Sequence, residues 1–193
     1  MRNYPYTIDN GYGERATFTG VIQDSDGLRL EIDGVARPGI GPPMHVHYLQ
    51  DETVRVVAGR AGYQVLGEEP KFAEAGEIVV WRAGTPHKWW NAGTTELRMV
   101  GWCTPPDNIE FFLGALFASA KQNGGGRPGL FDAAFLSTRY RSEFAILELP
   151  AFVQRFVIPV LYVVGRVLGK HRKYKDAPEP VTRRLGQQTA ATL

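Results

Sequence analysis

Apolar and polar residues alternate in short runs between about Ala16 and Cys103, with glycine and proline between the runs. Such alternation is typical of β-strands that bury one face, and frequent turns favour a sandwich or a barrel. We predict eight strands, over residues 17–22, 28–32, 44–48, 53–57, 61–66, 78–81, 87–91 and 97–102. A hairpin turn at residues 24–27 joins the first two strands. The first half of the chain is therefore predicted to be mainly β.

The pattern changes after Pro105 and Pro106. Asp107 with Glu110 three residues later has the form of a helix capping box, and a broad apolar face follows, so we predict a helix to about Gln122. Glycines end it, apolar positions resume over 130–149, and a last helix covers roughly 151–170. We divide the chain into a β domain (1–104), a helical extension that packs on that domain or on a partner subunit (105–176), and an extended tail (177–193).

The last predicted helix contains an apolar run, 156–164, followed by a basic cluster at 170–175. A membrane span needs about 20 apolar residues, whereas Arg155 and Arg166 flank this run and Pro159 interrupts it. We therefore expect the helix to pack against protein, either on the β domain or in a homodimer interface. Peripheral membrane contact through the basic end is the less favoured alternative.

Composition limits the functional classes. The 193 residues are 44% apolar, which is ample for a globular core. The net charge of +2, with no basic stripe interleaved with aromatics in the first hundred residues, gives no reason to expect a nucleic-acid partner. Cys103 is the single cysteine, and its apolar surroundings favour a packed thiol over a nucleophile. The first residues lack the apolar core of a signal peptide, so we expect a cytoplasmic location.

The candidate chemistry lies in a cluster of histidines. His45 and His47 are two residues apart on one predicted strand, so both side chains project from the same face. Glu52 begins the run that we interpret as the neighbouring strand, and His87 begins another strand after a turn. Neutral imidazoles with a carboxylate are ligands that first-row transition metals accept. The sequence therefore predicts a site for a divalent transition metal, with Fe, Mn, Ni, Cu and Zn as candidates.

The spacing around these residues resembles the two signature motifs of the cupin superfamily. The motifs run Gly39-x5-His45-x-His47-x4-Glu52-x6-Gly59 and Gly76-x5-Arg82-x-Gly84-x2-His87-x3-Asn91. One position differs, because cupins usually have proline where this chain has Arg82. The resemblance implies a double-sheet jelly-roll β-barrel with the metal inside it, followed here by C-terminal α-helices.

The number of predicted ligands indicates whether the metal site is open to a substrate. Four ligands in an octahedral shell leave two positions for water, substrate or dioxygen, an arrangement that suits catalysis. A closed tetrahedral zinc site that only stabilises the fold is the less favoured alternative. The resemblance to quercetin-dioxygenase-like cupins implies a dioxygenase-type oxidoreductase that acts on a small organic molecule, with Glu52 as a ligand that also serves as a base. A non-catalytic small-molecule sensor and a metal-dependent isomerase or decarboxylase remain open.

Three further residues are candidates for the pocket. Trp89 and Asn91 share the strand face of His87, so Trp89 is a candidate wall of a small-molecule site. Core packing is the commoner role for such residues. Arg82 is a candidate partner for a substrate carboxylate, although a solvated position on the rim is the favoured interpretation.

Overall fold

The strands form two antiparallel sheets in the computed structural model, which describes residues 3–25 and 27–182. The first sheet contains, in spatial order, β1 (Tyr6–Asp9), β2 (Glu14–Asp24), β3 (Gly27–Ala36), β10 (Leu97–Thr104), β5 (Asp51–Ala58) and β8 (Ile78–Trp81). The second contains β11 (Phe144–Ile146), β4 (His45–His47), β9 (His87–Asn91), β6 (Ala61–Val65) and β7 (Lys71–Ala73). Within the described ranges, hydrogen bonds join the strands into these two sheets and not into one closed ring.

All eight strands expected from the alternating pattern are present, and the mainly β prediction is confirmed. The sequence pattern missed β1, β7 and β11, which have three or four residues each. Asp24 pairs with Gly27 at the expected hairpin, although Asp26 itself lies outside the described residues. The predicted tail lies outside them from residue 183 onward.

The two sheets pack face to face through the inward residues of their strands. Val54 and Met99 of the first sheet share one buried cluster with Ala61 and Trp89 of the second. Removing such side chains from water stabilises the fold by about 1.5–3 kcal/mol for each large one. The inner faces of the two sheets therefore enclose the space in which the polar site residues lie.

The chain after β10 contains three helices, α1 (Ile109–Gln122), α2 (Leu130–Arg139) and α3 (Ile158–Val167), and a π-helical turn (Val153–Val157) leads into α3. The end of α1 at Gln122 was predicted, but the capping box was wrong. Asn108 occupies the N-cap without a side-chain hydrogen bond, and Asp107 adopts a positive φ of 38°. Glu110 instead accepts hydrogen bonds from the hydroxyls of Tyr4 and Tyr6.

Helices α1 and α2 pack on the first sheet. Ile109 of α1 and Leu136 of α2 belong to the same buried cluster as Phe18, Leu30 and Cys103 of β2, β3 and β10. Helix α3 lies on α2, and Gly165 is its buried residue. No helix in the described ranges combines the length and the apolar content needed to cross a bilayer.

The extension also adds a strand to the second sheet. After α2 the chain forms β11, which pairs antiparallel with β4 so that Phe144 lies opposite His47 and Ile146 opposite His45. The apolar positions over 130–149 were expected to continue in one segment, but α2 ends at Arg139 and an extended segment follows. The proposed domain boundary near residue 104 stays a prediction.

Glu143 joins three parts of this arrangement and provides a stability test. Its buried carboxylate accepts hydrogen bonds from the backbone and side-chain nitrogens of Asn108, at 3.2 and 2.7 Å, and from the backbone nitrogen of Val181 at 2.9 Å. Glu143→Ala should lower the free energy of unfolding by about 3 kcal/mol or more, because buried donors lose their acceptor. Urea denaturation measures the loss. The control Glu179→Ala removes an exposed carboxylate and should leave stability unchanged; equal effects would contradict the prediction.

Candidate metal centre

The three histidines lie together on the second sheet. His45 and His47 project from the same face of β4, as alternation predicted, and their ring centroids are 5.0 Å apart. His87 begins β9, pairs directly with His45 across the two strands, and places its ring centroid 4.5 Å from that of His45. Strand pairing thus brings together residues that are 42 positions apart in the chain.

Glu52 approaches from the opposite sheet. We expected it on a neighbouring strand, but β5 belongs to the first sheet, where Glu52 pairs with Trp81 and Cys103. Its Oε2 atom lies 3.2 Å from Nε2 of His87, 3.6 Å from Nε2 of His47 and 3.9 Å from Nε2 of His45. The four predicted ligands therefore converge across the space between the two sheets.

The hydrogen bonds of two imidazoles fix their orientation. Nδ1 of His45 lies 2.8 Å from the carbonyl oxygen of Pro43, and Nδ1 of His87 lies 2.9 Å from that of Thr85. A carbonyl only accepts hydrogen bonds, so each Nδ1 carries the proton and, in the neutral ring, Nε2 carries a lone pair. A hydrogen bond from the ring nitrogen that does not bind the metal is typical of metal-binding histidines. Nδ1 of His47 is buried without a hydrogen-bond partner among the described residues.

A cation fits these donors. In the neutral rings the Nε2 lone pairs of His45 and His87 face a carboxylate oxygen, an arrangement that is repulsive unless a metal ion, or a proton on Nε2, lies between them. Ligand atoms about 2.1 Å from a shared ion lie about 3.0–3.4 Å apart at angles between octahedral and tetrahedral values. The distances of 3.2, 3.6 and 3.9 Å are close to this range. His45, His47 and Glu52 form a group that could hold a divalent metal, and His87 adjoins it.

Electrostatics keep the donors in the forms that bind metals. Burial lowers the pKa of the His47 imidazole to about 3, so this ring is neutral at pH 7. Burial opposes ionisation of Glu52, but in the metal-free protein hydrogen bonds to the carboxylate from the His45 and His87 rings outweigh burial and hold the pKa of Glu52 well below its ordinary value. Cys103 behaves differently, because burial and then the charge of Glu52 raise the pKa of its thiol well above the ordinary value. A protonated thiol agrees with a packing role for Cys103.

Aromatic side chains hold the histidine rings. Trp81 of β8 stacks on His87 with ring centroids 4.3 Å apart and planes 7° apart. Phe144 of β11 contacts His47 edge-on at 5.3 Å. Sequence reasoning did not single out either residue, because one comes from the facing sheet and the other from a strand almost a hundred residues after His47. A local pattern carries no signal for such contacts.

Glu14 is a further acidic residue that the sequence did not indicate. It begins β2 on the same strand face as the buried residues Ala16 and Phe18, so its side chain turns towards the interior. Burial raises the pKa of the Glu14 carboxyl to about 7, and its charge interacts with His45 and Glu52. Nδ2 of Asn10 donates a hydrogen bond of 3.3 Å to Glu14 Oε2. A second protonatable carboxyl therefore lies within electrostatic reach of the histidine cluster.

The candidate pocket residues occupy different environments. Trp89 is buried on the His87 face of β9, as predicted, and packs in the core between the sheets. Asn91 uses its amide for the backbone: Nδ2 donates to the carbonyls of Ala36 and Thr95, and Oδ1 accepts from Gly93. Arg82 lies on the rim, where its side chain is 79% exposed and pairs with Asp51 at 2.6 Å. The contacts of Asn91 and Arg82 are therefore structural in this conformation.

The turn before His87 depends on a glycine. Gly84 adopts a φ of 82°, in the left-handed region that favours glycine, and its backbone nitrogen donates to the carbonyl oxygen of His47 at 2.7 Å. Ala83 donates to Asp51, the neighbour of Glu52, at 2.8 Å. The turn thus ties the strand of His87 to both of the other ligand-bearing segments.

These observations agree with a comparison of families. Residues 35–103 match the model of the cupin domain. This match supports the cupin superfamily. It contains all four candidate ligands, whereas Glu14 and Phe144 lie outside the matched cupin domain. No curated protein matches the chain in sequence.

Several solved structures are similar to part of the chain. A conserved protein with a double-stranded β-helix domain from Klebsiella pneumoniae is 21% identical over 54% of this chain and 82% of its own, with a TM-score of 0.41. An oxalate oxidase in complex with glycolate is 27% identical over 39% of this chain and 41% of its own, with a TM-score of 0.36. A sugar phosphate isomerase of the cupin superfamily from Silicibacter pomeroyi is 14% identical over 52% of this chain and 71% of its own, with a TM-score of 0.44. Such similarity concerns part of the fold and not the activity.

The predicted ligand set is tested by metal content. His45→Ala, His47→Ala, Glu52→Ala and His87→Ala should each weaken the binding of the divalent metal by tenfold or more, because loss of even a residue that only supports a metal ligand lowers the affinity by about 10–100-fold. Elemental analysis after dialysis measures the metal. His171→Ala is the matched control, since His171 is the fourth histidine and contacts the carbonyl oxygen of Phe131 instead. Full metal content in the Glu52 or His87 variant would disprove the four-ligand set.

The raised pKa of Glu14 leads to a separate prediction about how folding stability depends on pH. Its pKa is raised from 4.5 to about 7 in the folded protein, so the folded state keeps a proton that the unfolded state loses between these values. This contribution is present below pH 4.5 and is lost as the pH rises through about 7. Glu14→Gln should therefore become more stable relative to the unsubstituted protein by about 2–3 kcal/mol across this interval.

Urea denaturation of metal-free protein at several pH values measures the difference between the two proteins. Glu96→Gln is the control, because Glu96 is half exposed and pairs with Arg15 at the surface. A difference between Glu14→Gln and the unsubstituted protein that does not change with pH would contradict the prediction.

Proposed function

We propose that the protein is a metal-dependent oxidoreductase of the dioxygenase type that acts on a small organic molecule. The observation that carries the proposal is the convergence of three Nε2 atoms within 3.9 Å of one carboxylate oxygen. Three neutral imidazoles and one carboxylate form a ligand set that accepts Fe, Mn, Ni or Cu as well as Zn. The quercetin-dioxygenase-like cupins, which this site resembles, use the same four ligand types.

The chain would hold the metal through His45, His47, Glu52 and His87. When bound, the metal supplies Lewis-acid and electron-transfer chemistry at positions that the protein leaves open. The hydrogen bonds of His45 and His87 to backbone carbonyls keep two ligands in place, and Glu52 is the candidate base. We propose that the two sheets surround this site as a jelly-roll barrel.

Aromatic residues support a small-molecule site beside the ligands. Trp81 is almost fully buried against His87, and its indole nitrogen has no hydrogen-bond partner among the described residues. An unpaired buried donor costs stability unless a ligand or water accepts its hydrogen bond. We propose that Trp81 donates to an oxygen of the substrate and that Trp89 forms an apolar wall.

Glu14 favours a second candidate, a metal-dependent isomerase or decarboxylase. A carboxyl group with a pKa of about 7 exchanges its proton readily near neutral pH, which is the property of a general acid or base. Isomerisation and decarboxylation both need a proton to be moved, and neither consumes dioxygen. A sensor that only binds its ligand has no such need, so Glu14 supports turnover over passive binding.

Oxygen uptake distinguishes these functions. Metal-free protein is loaded in turn with Fe(II), Mn(II), Ni(II), Cu(II) or Zn(II) and given flavonols, diketones or thiols. We expect oxygen consumption with at least one redox-active metal and none with zinc, because zinc does not change its oxidation state. Products are also analysed under anaerobic conditions.

The controls use the ligand set itself. His87→Ala should abolish uptake, whereas His171→Ala should retain it. Product formation without dioxygen would favour the isomerase or decarboxylase. Ligand-induced thermal stabilisation with unchanged ligand and no uptake across the panel would overturn both enzyme proposals in favour of a sensor.

A further inference from the structure

The last helical segment presents an apolar surface to solvent. We define the apolar stripe as Phe152, Phe156, Val160, Val163, Val164, Val167 and Leu168. All of its side chains are exposed, with 63% of Phe156, 61% of Val160 and 81% of Val167 accessible. Apolar side chains scattered singly on a surface are ordinary, but a contiguous patch indicates an interaction site.

The stripe lies opposite the face that packs on the protein. Its members recur at intervals of three or four residues, which places them on one side of a helix. The packed side contains Gly165, where an added Cβ would lie 3.0 Å from the ring of Phe131, and Tyr162, whose ring stacks on Phe135 at 6.3 Å. Helix α3 therefore uses one face to bind α2, and no other described residue covers the stripe.

Charge identifies the kind of partner. Residues 151–175 contain six Lys and Arg residues and no Asp or Glu. All six are exposed, and only Lys173 has an ion-pair partner in the described ranges, Asp132 at 2.7 Å. The guanidinium of Arg155 lies 5.8 Å from the centre of the Phe156 ring, directly beside the stripe. The apolar stripe is thus bordered by cations along one side and at its C-terminal end.

A second copy of the chain is a poor match for this surface. Pairing two stripes would place the cations that border each stripe, such as Arg155 and Arg166, at one interface, with no acidic residue in residues 151–175 of either copy. Juxtaposed like charges disfavour association. A surface with an apolar interior and anionic groups at its boundary complements both the apolar stripe and the cations that border it. A bilayer that contains anionic lipids has this structure.

We propose that the apolar stripe and its bordering cations dock the protein on the surface of an anionic lipid bilayer. The ten residues of α3 extend about 15 Å, half the thickness of the hydrocarbon core, so the helix lies along the surface and does not span it. The stripe enters the boundary between headgroups and acyl chains, and Arg155, Arg166 and Lys170 bind phosphate groups. This inference does not depend on the proposed enzyme activity.

Vesicle sedimentation tests the proposal with the full-length protein. The protein should sediment with vesicles of phosphatidylglycerol and phosphatidylcholine in about equal parts, and much less with phosphatidylcholine alone. Arg166→Gln with Lys170→Gln should lower the partition coefficient about 25-fold, since each cation near an anionic surface contributes about fivefold. Phe156→Ser with Val160→Ser should lower it at least about tenfold, because two buried apolar side chains are lost.

The control variant carries Leu66→Ser and Ile78→Ser, which change two similarly exposed apolar residues outside the stripe. It should partition like the unsubstituted protein. Circular dichroism checks that all variants are folded. Three outcomes would overturn the proposal: no partition into anionic vesicles, equal loss in the control variant, or equal binding to both kinds of vesicle.

Light scattering tests the competing partner. The unsubstituted protein should be monomeric in the absence of vesicles. A dimer that the Phe156→Ser and Val160→Ser changes convert to monomers would instead identify the stripe as a homodimer interface and overturn the membrane proposal.

Discussion

The candidate site depends on one electrostatic arrangement, in which three imidazole nitrogens face a single carboxylate oxygen. Backbone carbonyls hold the protons of His45 and His87 on Nδ1, which directs lone pairs at Glu52. With neutral rings and no proton or metal ion between them and the carboxylate, this arrangement is repulsive, and with a metal ion it becomes a chelate. The two sheets must therefore face each other at a separation that suits an ion, since Glu52 and the histidines come from opposite sheets.

Several parts of the fold maintain that separation. Gly84 donates a backbone hydrogen bond to His47, and Ala83 donates one to Asp51, the neighbour of Glu52. Trp81, on the strand that pairs with the Glu52 strand, stacks on His87. These contacts link the segments that carry His47, Glu52 and His87 to one another. Burial adds a second effect, because it disfavours protonation of His47 and so preserves a metal-binding nitrogen. Packing thus sets both the positions and the protonation states of the donors.

Local patterns in the sequence were sufficient to predict the strands and the pairing of His45 with His47 on one face. Alternation is a local property, and it survives in any sheet. The sheet to which Glu52 belongs could not be predicted in this way, because strand order depends on contacts between distant residues. Glu14, Trp81 and Phe144 were missed for the same reason. The prediction of a capping box was wrong because the Glu110 carboxylate accepts hydrogen bonds from two tyrosine hydroxyls and not from the backbone at the start of the helix.

Strand β11 has a consequence for the order in which the molecule can form during synthesis. The histidine strand β4 has three residues and lies between β9 and β11, so the strand that pairs with its outer edge in the described part of the chain is residues 144–146. Those residues leave the ribosome about a hundred residues after His45, and synthesis at about 5–20 residues per second delays them by about 5–20 s. During that interval the edge of β4 lacks its partner strand. Helices α1 and α2 are synthesised before β11 and form part of the surface against which Phe144 packs. Completion of the histidine sheet is therefore a late, non-local event.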